Sequence, residues 1–104
     1  MNQMLLHTDE TIRLLDGVRD PNRIEIIFLL GEGGAMNVGD IAAQFHISRP
    51  AISHHLKVLK DAGIVRSEKI GQETYYQLDR KVLVDGLRRF ADAVENCCKD
   101  LPSK

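Results

Sequence analysis

Cysteine is scarce in this chain, and long apolar stretches are missing from it. Its two cysteines are the neighbours Cys97 and Cys98, which supply neither the spaced pairs of a secreted disulfide framework nor a CxxC zinc site. Reduced thiols are therefore expected. The longest uninterrupted apolar run, Ile26 to Leu30, falls far short of the roughly 20 residues that cross a bilayer. No basic segment opens the chain in the manner of a secretory signal. These absences predict a soluble, cytoplasmic protein with no membrane partner. Internal repeats, low-complexity tracts and long linkers are missing too, and 104 residues with 43% apolar content fit one compact domain spanning 1–104. No glycine-rich phosphate loop, metal-ligand cluster or nucleophile with a base is visible, so no enzyme activity is expected.

The charges that are present are unevenly placed. The formal net charge is −1, yet residues 1–45 carry three arginines against seven acidic residues. Residues 46–81 reverse the sign, with seven cations (Arg49, Lys57, Lys60, Arg66, Lys69, Arg80, Lys81) against four acids, and three histidines besides. A net-acidic protein of this kind can still present one basic face to a phosphate backbone.

Local signals divide the chain into five helices and a hairpin. A first helix is predicted from near Thr8 to Gly17. A second opens after Asp20 with Pro21 in its first turn, carries Ile24, Ile27, Phe28 and Leu30 as the most apolar helix of the core, and stops at Glu32-Gly33-Gly34. Asn37 is a fitting cap for a short third helix from Val38 to Phe45. Ser48 caps a fourth, which has Pro50 in its first turn and runs to about Ala62, where Gly63 supplies the stop. Two β-prone runs, Ile64 to Ile70 and Glu73 to Leu78, flank Gly71-Gln72 as a hairpin does. The last helix, about Arg80 to Lys99, repeats Leu83, Leu87, Phe90, Val94, Cys97 and Leu101 at alternating spacings of four and three. That seam is longer than a small domain needs for its own core, so Leu83, Leu87, Phe90 and Val94 are expected to pair the chain with a second copy as a homodimer.

The fourth helix is the element with a function written on it. At 100° per residue, Ile52, Leu56 and Leu59 form an inward stripe, Pro50, His54 and Lys57 fall opposite, and Arg49 and Ser53 flank that outer face. His55 sits beside the apolar stripe and reads as a structural histidine. A short helix, a tight turn and a second helix with a small, polar, cationic start suit the DNA major groove, which admits one helix. Ser53 and His54 are candidate base contacts, and Arg49 and Lys57 candidate phosphate contacts.

The stretch from Ser48-Arg49-Pro50 through Ser53-His54-His55-Leu56-Lys57 to Ala62-Gly63-Ile64-Val65, followed by Gly71 and Tyr75-Tyr76-Gln77-Leu78, resembles the arsenic-repressor (ArsR/SmtB) family. The likeness runs from roughly Leu15 to Ala91. It implies a mainly α fold with a two-stranded β wing, the winged helix-turn-helix, in a dimeric repressor of operator DNA. In such a repressor the fourth helix enters the groove, the wing approaches the backbone, and the first and last helices pair the subunits. Ser48, Arg49, Pro50, Ser53, His54, Lys57, Lys69 and Gln72 are then the expected DNA-binding residues. Gln72 departs from the arginine that often follows the wing glycine in this family, leaving Lys69 as the nearby cation.

The metal sites that the resemblance suggests are not matched. Ala35 to Ile41 lacks the cysteines of the thiolate site, and no histidine follows His55 to build the zinc-type site of the last helix. Gly39-Asp40-Ile41-Ala42, Ile52 to Leu56 and Gly71-Gln72 resemble the sporulation-delay repressors of the family, which implies an autoregulatory repressor without a metal. Glu95-Asn96-Cys97-Cys98 matches a motif of relatives that sense trivalent arsenicals, although their usual third cysteine is absent. Two readings stay open for Cys97 and Cys98, an arsenical- or redox-responsive pair and a pair that merely continues the apolar seam. A winged-helix module that docks a protein instead of DNA is the alternative of another class, and such modules usually lose the cationic face retained here in Arg49, Lys57 and Lys69.

Overall fold

The computed structural model describes residues 8–98. Helix α1 (Thr8–Val18) leads into α2 (Pro21–Gly33), then a short strand β1 (Met36–Asn37), α3 (Val38–Ala42), α4 (Arg49–Asp61), the strands β2 (Val65–Ile70) and β3 (Glu73–Leu78), and a long α5 (Arg80–Cys98). Leu101 and Lys99, the expected end of the last helix, lie outside the described residues.

The helix ends are set by local chemistry. The Asp20 carboxylate accepts from the backbone N–H of Asn22 (2.8 Å) and Arg23 (3.3 Å) at the start of α2. Asn37 Oδ1 accepts from Asp40 at 2.8 Å, and Ser48 Oγ from Ala51 at 3.2 Å, which starts α3 and α4 in the same way. At the far end of α4 Gly63 takes a left-handed φ of 78°. Its N–H donates to Lys60 O (2.9 Å) and that of Ile64 to Leu59 O (3.0 Å). This paired closure needs a residue tolerant of positive φ, and it turns the chain straight into β2. Gly71, at φ 66°, begins the two-residue hairpin loop, and Gln72 follows with an ordinary φ, the pattern of a type II′ turn.

Three expectations are corrected. The sheet has three strands in the order β1-β3-β2, all antiparallel, with Met36 opposite Tyr76 and Asn37 opposite Tyr75. The extended backbone that Asn37 adopts as a cap (φ −85°, ψ 171°) also lets it pair with the free edge of β3. The third helix ends at Ala42 because its last turn tightens: Gln44 bonds to Ile41 O and Phe45 to Ala42 O, three residues back. Phe28 and Ile24 are not core residues, being 65% and 39% exposed. The core is instead Leu14, Ile26, Ile27, Leu30, Ile41, Ile52, Leu56, Leu59, Ile64 and Val65, with Leu83 and Leu87 packed on its margin.

Candidate nucleic-acid interface

Helix α4 is held from behind by its apolar stripe. Ile52, Leu56 and Leu59 are wholly buried on the side where α4 packs against α1, α2, α3 and β2, which turns Arg49, Pro50, Ser53, His54 and Lys57 outward, all exposed. Five of the expected contact residues therefore share one outward surface, and Ser48 stands exposed at its start. The Ser48 hydroxyl is engaged as the cap. The Arg49 guanidinium lies over the first turn of α3, its Nη1 3.8 Å from where a β-carbon on Gly39 would stand. Lys57 Nζ pairs with Asp61 Oδ2 at 3.2 Å, with both side chains well exposed. An exposed pair of this kind is worth little, so the ammonium remains open to another anion.

Lys69 and Gln72 sit on a different element. Lys69 lies on β2 opposite Thr74, Gln72 occupies the hairpin loop, and both are exposed. Asp79 braces the base of this wing: its N–H donates to Ile64 O at 2.7 Å, its Oδ1 accepts from Val82 N at 3.2 Å, and its Oδ2 faces Arg66 Nε at 3.6 Å.

His55, next to that outward surface, is half-buried and faces inward. Its Nδ1 lies 2.9 Å from Nη1 of Arg23, a buried arginine that the sequence reading did not single out. Arg23 Nε also donates to Gly17 O (3.2 Å) and Nη2 to Asp16 O (2.9 Å). The signal was available: Arg23 stands at helical spacing from Ile27 and Leu30, inside the stripe that faces the core. Burial pushes the His55 pKa below its ordinary value, with Arg23 and His54 adding to the drop and the Asp20 carboxylate opposing it. For Asp20, burial works to raise the pKa. The N–H bonds from Asn22 and Arg23 and the charges of His55 and Arg23 more than offset it, and the net shift is downward.

A second surface lies between α1 and α5. Of the expected seam, Leu83 and Leu87 lean on the protein's own core, while Phe90 (41%) and Val94 (48%) are exposed, as are Ile12 and Val82. These four side chains, with Leu15 and Cys97, line an open groove of about 1100 Å³. Cys97 is exposed there, so in a single subunit the thiol is not buried in the seam. Among the described residues, no three His, Cys, Asp or Glu side chains gather as a metal site, and no helix is long and apolar enough to cross a membrane.

A family profile described as "Bacterial regulatory protein, arsR family" matches residues 20–67. Over 84 residues, 81% of this chain and 92% of the relative, the sequence is 42% identical to the transcriptional repressor SdpR of Bacillus subtilis (strain 168). The chain belongs to the ArsR family. Another relative of this ArsR-family chain is the arsenical resistance operon repressor of Staphylococcus xylosus, 33% identical over 90% of this chain and 93% of that protein. Among solved structures, a possible transcriptional regulator for arsenical resistance superposes with a TM-score of 0.70 at 33% identity, covering 88% of this chain and 98% of the other. The homodimeric winged helix-turn-helix DNA-binding domain Mb0332 of Mycobacterium bovis shares the fold with a TM-score of 0.72 at 21% identity, covering 100% and 97% of the two chains. The architecture is the winged helix-turn-helix, with α3 and α4 as its helix pair and β2–β3 as its wing.

Proposed function

We propose that this ArsR-family protein is a cytoplasmic transcriptional repressor that binds a palindromic operator as a homodimer and acts on its own promoter. One observation carries the reading: α4 buries one face completely while holding Arg49, Ser53, His54 and Lys57 outward on a surface the width of a single helix. Ser53 and His54 meet base edges, Arg49 and Lys57 meet phosphates, and Lys69 and Gln72 bring the wing to the flanking backbone. The groove between α1 and α5 receives the same groove of a second subunit. A two-fold dimer then presents one reading helix to each half of a palindrome. The retained cationic face favours DNA over a protein ligand.

The test is a binding assay on a duplex from the region upstream of its own gene. Replacing Ser53 and His54 together by alanine removes base contacts worth about 1–3 kcal/mol each and relaxes sequence preference. Unchanged affinity and selectivity in that double variant would remove α4 from the groove.

A further inference from the structure

Among the described residues Arg23 is the only buried charged side chain, and it lies off the outward face of α4. Its three bonds join three helices. The Asp16 and Gly17 carbonyls belong to the last turn of α1, where a helix leaves its C=O groups without internal partners and its dipole favours a cation. No basic residue of α1 occupies that turn, so Arg23 supplies the charge from α2. Its remaining nitrogen, Nη1, reaches His55 on α4 at 2.9 Å.

The chemistry of that last contact leaves one arrangement. Arginine has five N–H donors and no acceptor, and it keeps its proton throughout the accessible pH range. The hydrogen bond therefore runs from Arg23 to His55, whose Nδ1 must be an unprotonated acceptor. His55 is held as the neutral Nε2–H form. A second proton would occupy the lone pair that accepts from Arg23 and would set two cations against each other at a half-buried site.

We infer that Arg23 is a positioning residue for DNA reading: through neutral His55 it pins the rotation of α4 against α1 and α2, and protonation of His55 releases it. This rests on the reading of α4 as the groove helix. His55 lies two residues from Ser53 and one from His54 on a rigid helix, so a turn of α4 about its axis displaces both base contacts together. The charged groups acting on His55 are Asp20 at the α1–α2 corner, Arg23 on α2 and His54 on α4. On α1, Asp16 offers its carbonyl to Arg23 while its carboxylate is engaged by Arg19 at 2.8 Å. Asp20 favours the protonated ring, whereas burial, Arg23 and His54 disfavour it, and the net direction is downward. The unfolded chain thus takes up this proton first as the pH falls. The stabilisation is complete above the ordinary histidine range near 6.5, and it is lost as pH falls from there through the lower folded-state value.

The experiment compares wild type, His55→Asn and His55→Leu. Asparagine places Oδ1 near the position of Nδ1 and has no proton to gain, whereas leucine leaves Nη1 unpaired. Long-range ¹H–¹⁵N spectra of the free wild-type protein at pH 7.5 should show His55 protonated on Nε2 alone. On the upstream duplex His55→Asn should bind as wild type does at pH 7.5, and His55→Leu more weakly by roughly fivefold or more. Between about pH 7.5 and 5.5 wild type should lose affinity relative to His55→Asn, since both carry the same His54 and the same phosphate contacts. His55 protonated on Nδ1, or an acid limb shared by wild type and His55→Asn, overturns the proposal. The spectra and these two profiles decide it even should His55→Leu fail to fold. Intact specific binding with no such difference removes this inference alone, whereas absence of specific binding by wild type at every pH removes it together with the repressor reading.

Discussion

Substituting Gly17 by alanine sets two opposed effects against each other, and the structure decides the sign. Gly17 lies inside α1, buried, with no positive φ, so alanine would ordinarily favour the helix by about 0.5–1 kcal/mol. A β-carbon there, however, would stand 2.5 Å from Ile64 Cδ1 and 3.5 Å from Leu59 Cδ2. Both neighbours are wholly buried, and neither can withdraw without displacing a packed partner. Overpacking of this kind costs about 1–3 kcal/mol. The net expectation is a loss of roughly 0.5–2 kcal/mol, or a fall in midpoint of some 2–10 °C for a domain of this size. Gly33→Ala is the control. Its added carbon would meet only Met36 Sδ at 3.7 Å, an ordinary contact, and it should be neutral or slightly stabilising. Because the Gly17 carbonyl also accepts from Arg23 Nε, the end of α1 cannot shift alone, and Gly17→Ala should weaken operator binding as well. Thermal and denaturant unfolding of both variants reads the difference. A Gly17→Ala protein as stable as Gly33→Ala would refute the close packing of α1 on the α4–β2 corner.

Other consequences follow from the two surfaces. Lys57→Ala should lower the slope of log affinity against log salt by about one and weaken all DNA sequences alike, with little loss of stability, because its pair with Asp61 is exposed; an unchanged slope places Lys57 away from phosphate. Val94→Asp puts a carboxylate on an exposed position, so it should leave the helical content intact yet yield monomers in sedimentation at micromolar concentration, and a wild-type protein that is itself monomeric there would refute pairing through α5. Trivalent arsenicals or a mild oxidant should release wild type from its operator and not the Cys97→Ser, Cys98→Ser variant if the exposed thiol is a sensor, whereas identical behaviour leaves both cysteines to packing.

What could be read from the sequence was what local chemistry determines. Asp20, Ser48, Gly63 and Gly71 each act on neighbours within a few residues, so the helix starts, the α4 stop and the hairpin register follow from composition and order. The outward face of α4 was legible for a related reason: a helix buried on one side declares its rotation through the spacing of Ile52, Leu56 and Leu59. β1 escaped because two residues are too few to show an alternation, and its partner β3 lies far along the chain. Phe28 was misplaced because α2 is apolar on several sides, and periodicity cannot say which of them the rest of the protein covers. Arg23 was missed because its partners span α1 and α4, and a charge in an apolar stripe reads as an exception until the carbonyls and the imidazole that satisfy it are seen together.

The outward face of α4 and the α1–α5 groove share one joint. α1 carries Ile12 and Leu15 into the groove with α5. Where that helix ends, it gives the Asp16 and Gly17 carbonyls to Arg23, which holds His55 on α4. In a dimer paired through α1 and α5, the separation of the two α4 helices would therefore be set through the same helix whose end holds the Arg23–His55 contact. A palindrome must be met at both half-sites at once, so a displacement of α1 disturbs two sets of contacts together. A ligand at Cys97, on the wall of that groove, would act on DNA only through its unequal affinity for two dimer geometries. A tenfold release of operator requires a difference of about 1.4 kcal/mol. Packed interfaces switch between discrete packings and do not deform continuously, so a difference of that size would select one geometry over the other.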